Sequence, residues 1–336
     1  MLAAAASAHG MSAVARGYWI EAPGRGAIRD VVLPRAGDGD VERVASCSGI
    51  SPGTERLVAT GAVPAALDAV MAVPGMQGSF ALPILYGYAF VGAVRNGPRA
   101  GARAFTMHPH CERAVAAAAR CVWLPDDVPD ARATLFANLE TAVNAVWDGA
   151  ADEGAALAIV GAGAVGLLIA FVLAQRHRGE IVLAEASPSR RAFAASLGWA
   201  RTVCAPDELP RDHFAAVFHA SGTAAGLQLA IDAAGFEGRI VDLAWYGDRA
   251  VSLQLGVSFH HRRKVLLASQ VGTVASQQRA RGHAFRTATV LELLRDARLD
   301  ALVPDSVRFD ALPEFFARVY RHEPTPTCPV VRYEPA

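Results

Sequence analysis

The chain has 336 residues, with 32 Lys and Arg against 32 Asp and Glu, 52% hydrophobic residues and 19% charged ones. That length suits two domains, and the apolar content excludes intrinsic disorder. Balanced charge gives no electrostatic footprint for nucleic acid or an anionic membrane, and the cysteines (Cys47, Cys111, Cys121, Cys204, Cys328) form no CxxC pair, against a disulfide framework or a structural zinc lobe.

Residues 1–15 are small and apolar but lack the basic start of a signal peptide, so a disordered extension is expected, with Met11 as an alternative beginning. Short β-rich runs broken by Gly and Pro follow (GYWIEAPG, IRDVVLP, VERVASCSGI, YGYAFVGAVRNG), the texture of an antiparallel, barrel-like β domain over residues 16–128. Residues 131–148 have helical spacing. Residues 155–174, AALAIVGAGAVGLLIAFVLA, carry no charge and are long enough to span a bilayer. Three glycines within six positions argue instead for a buried strand, a turn and a buried helix. Strand–helix alternation continues through IVLAEA, AAVFHASG and GRIVDLAWYG, which predicts a doubly wound parallel sheet over 129–299. The basic run 260–264 (HHRRK) reads as a solvated approach to a strand. The apolar stretch 265–274 reads as an edge strand that pairs two copies into a homodimer. Residues 300–336 return to β texture and are expected to rejoin the first domain.

Gly161-Ala-Gly163-Ala-Val-Gly166 follows the apolar strand LAIV and opens a helix, with Glu185 nineteen residues past Gly166 at the end of the next strand. Strand, GxGxxG, helix and acid together form a dinucleotide-binding fingerprint. Gly161 permits the tight turn, Gly163 lets the pyrophosphate approach the backbone, and Gly166 lets helix and strand pack closely. Amides of Ala164 and Val165 at the helix start face the phosphates. Glu185 would hold the ribose hydroxyls and repel a 2′-phosphate, favouring NAD. Arg190 and Arg191 just downstream keep NADP as the alternative.

A β domain, a nucleotide-binding unit and a β return, in that order, resemble the medium-chain dehydrogenase/reductase superfamily. SGISPGTERLVATG, LYGYAFVGAV and FHASGTAAGLQLAIDAAG are most similar to its bacteriochlorophyllide dehydrogenase branch, which includes an enzyme oxidising a hydroxyethyl group on a chlorin. The resemblance implies an α/β fold: a GroES-like antiparallel β-barrel catalytic domain plus a Rossmann domain. It also implies three zinc-ligand positions, occupied here by Pro52 before Gly53-Thr54-Glu55, by Tyr88 in Gly87-Tyr88-Ala89, and by Ala137 four residues before Thr141. Catalytic zinc is therefore expected to be absent.

By the same resemblance Thr54 stands at the proton-relay position, Thr141 is a cofactor contact, Glu140 is a candidate base, and Ser221 and Gly222 are cofactor contacts. Tyr88, in place of a ligand, is a candidate hydrogen-bond donor to the substrate oxygen. His108-Pro109-His110-Cys111 looks like a metal cluster, but Pro109 keeps the backbone extended, and His110 is taken as a candidate acid or base. Trp245 and Tyr246 close a strand at the ligand-binding edge, where they would either wall a broad, flat substrate or pack against the β domain. The expected function is zinc-independent, NAD(P)-dependent interconversion of an alcohol and a carbonyl on a moderately large small-molecule substrate, in a cytoplasmic protein. An NADPH-dependent enoyl or quinone reductase and a nucleotide-binding protein without turnover are the rivals.

Overall fold

The structure, a computed structural model, describes residues 14–321 and 323–334. Strand β1 (Val14–Ala22) begins two residues before the expected β domain, so Val14 and Ala15 do not belong to the extension; its remainder, residues 1–13, lies outside the described residues. β1 pairs antiparallel with β2 (Arg25–Val32) through a turn in which Gly24 takes φ +77°. Next come β3 (Asp40–Gly49), helix α1 (Pro52–Ala59), β4 (Gln77–Gly78), β5 (Ile84–Leu85), β6 (Phe90–Val94), β7 (Arg103–Thr106), β8 (Arg113–Ala117) and β9 (Val122–Trp123). Proline at the first helical position suits α1, because its missing N–H has no partner there anyway.

Helix α2 (Phe136–Gly149) leads into β10 (Leu157–Val160), α3 (Ala164–Ala174), β11 (Ile181–Ala184), α4 (Pro188–Leu197), β12 (Thr202–Cys204), β13 (Phe214–His219), α5 (Ala224–Ala233), β14 (Ala234–Asp242) and β15 (Val265–Ala268). The six strands are parallel in the order β12-β11-β10-β13-β14-β15, which makes the expected doubly wound sheet. The order reverses between β10 and β13, and open α/β sheets take their ligands at that crevice. The uncharged stretch divides as expected: every residue of β10 is buried, and α3 buries Gly166 to Phe171. Among the described residues no helix is long and apolar enough to cross a membrane.

After α6 (Gly282–Leu293), β16 (Ser306–Arg308) and α7 (Leu312–Tyr320), strand β17 (Val330–Arg332) pairs antiparallel with β3, Val331 opposite Ser48. The chain thus rejoins its first domain, whose sheets run β2-β1-β5-β4 and β16-β17-β3-β6-β7-β9, with β8 also on β3. One core passes through α2, joining Val91 and Phe105 of the β domain to Leu167 and Phe171 of α3. A second core sets Phe315, Phe316 and Val319 of α7 against Tyr18, Phe80 and Tyr86. Each large side chain so buried contributes roughly 2 kcal/mol.

Two expectations change in detail. The run 260–264 is not solvated throughout: the Lys264 side chain is buried, and its ammonium donates to Asp212 at 2.8 Å, the Ile231 carbonyl at 2.7 Å and Ser258 at 3.0 Å. A buried ammonium is tolerable only when its donors are satisfied in this way. Of residues 265–274 only Val265–Ala268 is strand; it lies at the sheet edge with Val265 and Leu266 exposed.

Candidate active site

One side of the cleft is built from backbone. Gly161, directly after β10, takes φ +108°, and a Cβ there would press the Ser221 amide at 2.8 Å. A Cβ on Gly166 would meet the Gly161 carbonyl oxygen at 1.9 Å, whereas one on Gly163 would meet nothing within 4 Å. The loop is therefore tight where helix meets strand and open where a pyrophosphate would approach. Ala164 and Val165 begin α3, so their amides have no acceptor within the helix. Glu185, just beyond β11, accepts the Ala162 amide on Oε2 and the Ser187 amide on Oε1, each at 2.8 Å. The Arg190 guanidinium is 3.8 Å from Glu185 Oε1, and Arg191 is turned back onto the carbonyls of Glu185 and Ala186 at 2.8 Å. A carboxylate thus dominates the ribose end of the loop. Ser221 and Gly222 form the turn after β13, with Gly222 at φ +68°.

The other side is built from side chains of the β domain. Glu55 on α1 is only 2% exposed; its Oε1 accepts the Ser51 amide at 2.7 Å and its Oε2 meets His110 Nε2 at 2.8 Å. His110 Nδ1 lies 2.7 Å from Ser48 Oγ, which in turn is 2.8 Å from the Tyr333 hydroxyl. This buried string joins α1, β3, the segment after β7 and the segment after β17. Alongside it the Tyr88 hydroxyl donates to Asn138 Oδ1 at 3.2 Å, with the polar side chains of Ser51 and Thr54 close by. Burial pushes the Tyr88 phenol up to about 12 against the opposing effect of those neighbours. Ser51, Tyr88, Asn138 and Cys328 line a cavity of about 10 Å³, room for one water.

Thr54, Tyr88 and His110 therefore meet around α1. Glu140 and Thr141 belong to other arrangements. The Glu140 carboxylate accepts from Arg286 on α6 at 3.2 Å, and Arg286 also reaches Asn144 at 3.0 Å. Burial raises the Glu140 carboxyl, while Arg286 opposes that rise. Thr141 Oγ1 donates to the Ala137 carbonyl one turn back in α2, at 3.1 Å. Around Pro109 the chain sends its side chains apart: His108 packs edge-on to Phe90 with ring centroids 5.5 Å apart, and Cys111 is fully buried. Burial drives the His108 imidazole down to about 4 and the Cys111 thiol up to about 11.

Zinc does not fit this donor set. Pro52 and Ala137 offer no side-chain ligand, Tyr88 offers only a phenol held protonated by burial, and no three His, Cys, Asp or Glu side chains gather at one point among the described residues. The glycine loop and Glu185, by contrast, fit a dinucleotide. Trp245 crosses from the parallel sheet to the β domain, meeting Phe80 edge-on at 6.2 Å, and the Asp248 amide donates to the Ala62 carbonyl at 3.3 Å. Tyr246 stays with the parallel sheet, its hydroxyl 3.5 Å from Asp242.

Glu55, Ser48, Tyr333 and Asn138 escaped the sequence reading. Only Glu55 carried a signal: an acid three residues into a short helix, beside the relay threonine. His219 was missed as well, although a histidine ending the buried run AAVFH has to find a polar partner.

No protein-family model matches the chain, and a search of curated proteins finds no match. Solved structures do match. A protein described as a zinc-binding dehydrogenase of Sinorhizobium meliloti 1021, bound to NADP, aligns at TM-score 0.75 and 16% identity over 95% of this chain and 99% of its own. An alcohol dehydrogenase of Escherichia coli CFT073 complexed with NADH gives 0.75 and 16% over 95% and 99%. An alcohol dehydrogenase of Thermus sp. ATN1 gives 0.73 and 20% over 95% and 100%. At these identities the likeness establishes the fold: the chain has the GroES-like and Rossmann architecture of the medium-chain alcohol dehydrogenases.

Proposed function

We propose that the protein is a zinc-independent, NAD(P)-dependent oxidoreductase of the medium-chain superfamily that interconverts an alcohol and a carbonyl on a moderately large, flat substrate. The observation that carries this reading is the pairing of an intact dinucleotide loop with a buried, hydrogen-bonded phenol, Tyr88, at a former ligand position. The nicotinamide, when bound, supplies the hydride acceptor or donor. The chain supplies the rest. Gly163 and the first amides of α3 take the pyrophosphate, and Glu185 takes the ribose hydroxyls, which favours NAD over NADP. Tyr88, with a phenol near 12, stays protonated at neutral pH, and its proton, given to Asn138 in the free protein, turns to the substrate oxygen when substrate binds. Asn138 Oδ1 fixes its direction, and Thr54 stands on the same helix as Glu55, the partner of His110.

Trp245 meets a file of rings that belongs to the β-domain core. Trp245, Phe80, Tyr86 and Tyr88 follow one another with centroid separations of 6.2, 5.8 and 6.5 Å. The resemblance to the bacteriochlorophyllide dehydrogenase branch is what favours a planar substrate. Pairing of β15 with its copy would cover the exposed edge and give a cytoplasmic homodimer.

The test is a screen of planar secondary alcohols and their ketones with NAD and NADP, run alongside elemental analysis of the purified protein. Turnover on a planar alcohol with NAD, at well under one zinc per chain, supports the reading. Stoichiometric zinc, or turnover restricted to NADPH and activated alkenes, overturns it.

A further inference from the structure

At the crevice where the parallel sheet reverses, a second set of groups stands in line. His219, the last residue of β13, has no exposed surface. Its Nδ1 lies 2.8 Å from Asp242 Oδ1 at the end of β14, and its Nε2 lies 2.7 Å from Ser221 Oγ. Asp242 Oδ1 also accepts the Ala244 amide at 3.0 Å, which fixes the carboxylate. Ser221 itself is exposed, in the turn between β13 and α5. Acid, imidazole and hydroxyl are thus arranged as an orienting group, a general base and a nucleophile, and such a set is recognised by geometry rather than by chain order.

The surroundings complete the requirements of acyl transfer. Thr223 caps α5 by accepting the Gly226 amide at 3.0 Å, and its hydroxyl is 3.1 Å from Ser221 Oγ. The amides of Ala224 and Ala225, the first two residues of this ten-residue helix, have no acceptor within the helix and are the donors left for a developing oxyanion. Gly226 is needed for the arrangement, since a Cβ there would lie 2.0 Å from Ser221 Oγ.

We infer that Asp242, His219 and Ser221 form a hydrolytic site for small carboxylic esters, separate from hydride transfer and mutually exclusive with the dinucleotide. Ser221 Oγ bonds to the acyl carbon as its proton passes to His219 Nε2. The C–O bond to the alcohol then breaks, and the alcohol leaves with that proton. Water attacks the acyl-serine, giving its proton to His219, and the carboxylic acid departs as the serine proton returns. The balance is ester plus water to acid plus alcohol, with no redox change. Asp242 acts as a positioning residue that holds the Nδ1–H tautomer. Ser221 and Gly222 also border the proposed cofactor site, so bound NADH covers the nucleophile.

The experiment uses the full-length protein without cofactor, a fluorophosphonate probe and 4-nitrophenyl acetate. The probe is expected to label one serine per chain, mapped by mass spectrometry to Ser221, with fluoride leaving as the Oγ–P bond forms. Labelling and ester cleavage should both fall about 10³-fold in His219→Gln. In Asp242→Asn they should recover in part as pH rises. Saturating NADH should slow labelling of the unaltered protein. Gly226→Ala, whose Cβ would press Ser221 and Thr223, should suppress labelling by displacing the hydroxyl, with circular dichroism checking that the protein stays folded. Absence of label at Ser221 in folded protein overturns the site, as does labelling indifferent to His219→Gln. The probe needs no cofactor, so failure of the dehydrogenase reading would leave this result standing.

Discussion

The two walls of the cleft are made of different material. On the parallel sheet, the proposed binding falls to three glycines and helix-end amides, with Glu185 the main side chain. On the β domain, the groups proposed for recognition and chemistry are side chains: Tyr88, Thr54, and the buried string Glu55–His110–Ser48–Tyr333. A backbone site depends on a few residues having no side chain, so it persists while most of its neighbours change. A side-chain site can be rewired by substituting its members. Here the carboxylate one residue past the relay threonine meets a histidine, and a tyrosine stands where a metal ligand would be expected.

The comparison can be broken first at His110. His110→Ala would leave Glu55 buried beside no imidazole, and removing one partner of a buried pair costs about 3–5 kcal/mol. Urea unfolding should show that loss, with the NADH affinity of the remaining folded protein changed less than threefold; a loss below about 1 kcal/mol would mean that the string is not a stabilising unit. Next is Tyr88→Phe, which keeps the ring and deletes one donor. Turnover on whichever planar alcohol the screen identifies should fall roughly 10²–10³-fold, with NADH binding unchanged. Full activity would return the phenol to a packing role.

A third comparison is by pH. His108 ionises near 4 in the folded protein, because burial disfavours its cation. In the unfolded chain it ionises near 6.5. The unfolded state therefore binds the extra proton first as pH falls, and stability declines between about 6.5 and 4, by about 3 kcal/mol in all. His108→Phe should flatten that part of the pH–stability curve. An unchanged slope would assign the acid sensitivity to other groups. The smallest effect is expected on the backbone-built wall: Glu185→Ala should weaken NADH by about 1–3 kcal/mol and narrow the gap to NADPH. Tighter NADPH binding by the unaltered protein would reassign the ribose end to Arg190.

What was legible in the sequence follows the same division. Gly161, Gly163 and Gly166 announce themselves because positive φ and close packing are local demands, met within six residues. The parallel sheet was equally plain, since each strand and helix carries its own period. The β-domain wall was legible only where a position could be compared with a family pattern, as at Tyr88. Its connections were not, because His110 reaches Glu55 across 55 positions and Tyr333 reaches Ser48 across 285. Nothing local marks Arg286 as the partner of Glu140 across 146 positions, so an acid read as a free candidate base sits in an ion pair. His219 and Asp242, 23 apart, end neighbouring strands, a relation that strand order reveals and spacing alone does not.

Tyr333 also has a temporal meaning. The ribosome delivers the parallel sheet as one contiguous stretch, complete once β15 emerges and covered when α6 follows. The β domain starts first but must wait for β17 to pair with β3 and for Tyr333 to reach Ser48. Until then, a nascent chain carries a finished nucleotide fold beside an unfinished barrel, with α7 absent and the Tyr18 and Phe80 faces uncovered. In the order of synthesis, the ability to hold a dinucleotide comes early. The pocket that would give it a substrate is completed only after β17 and Tyr333 emerge.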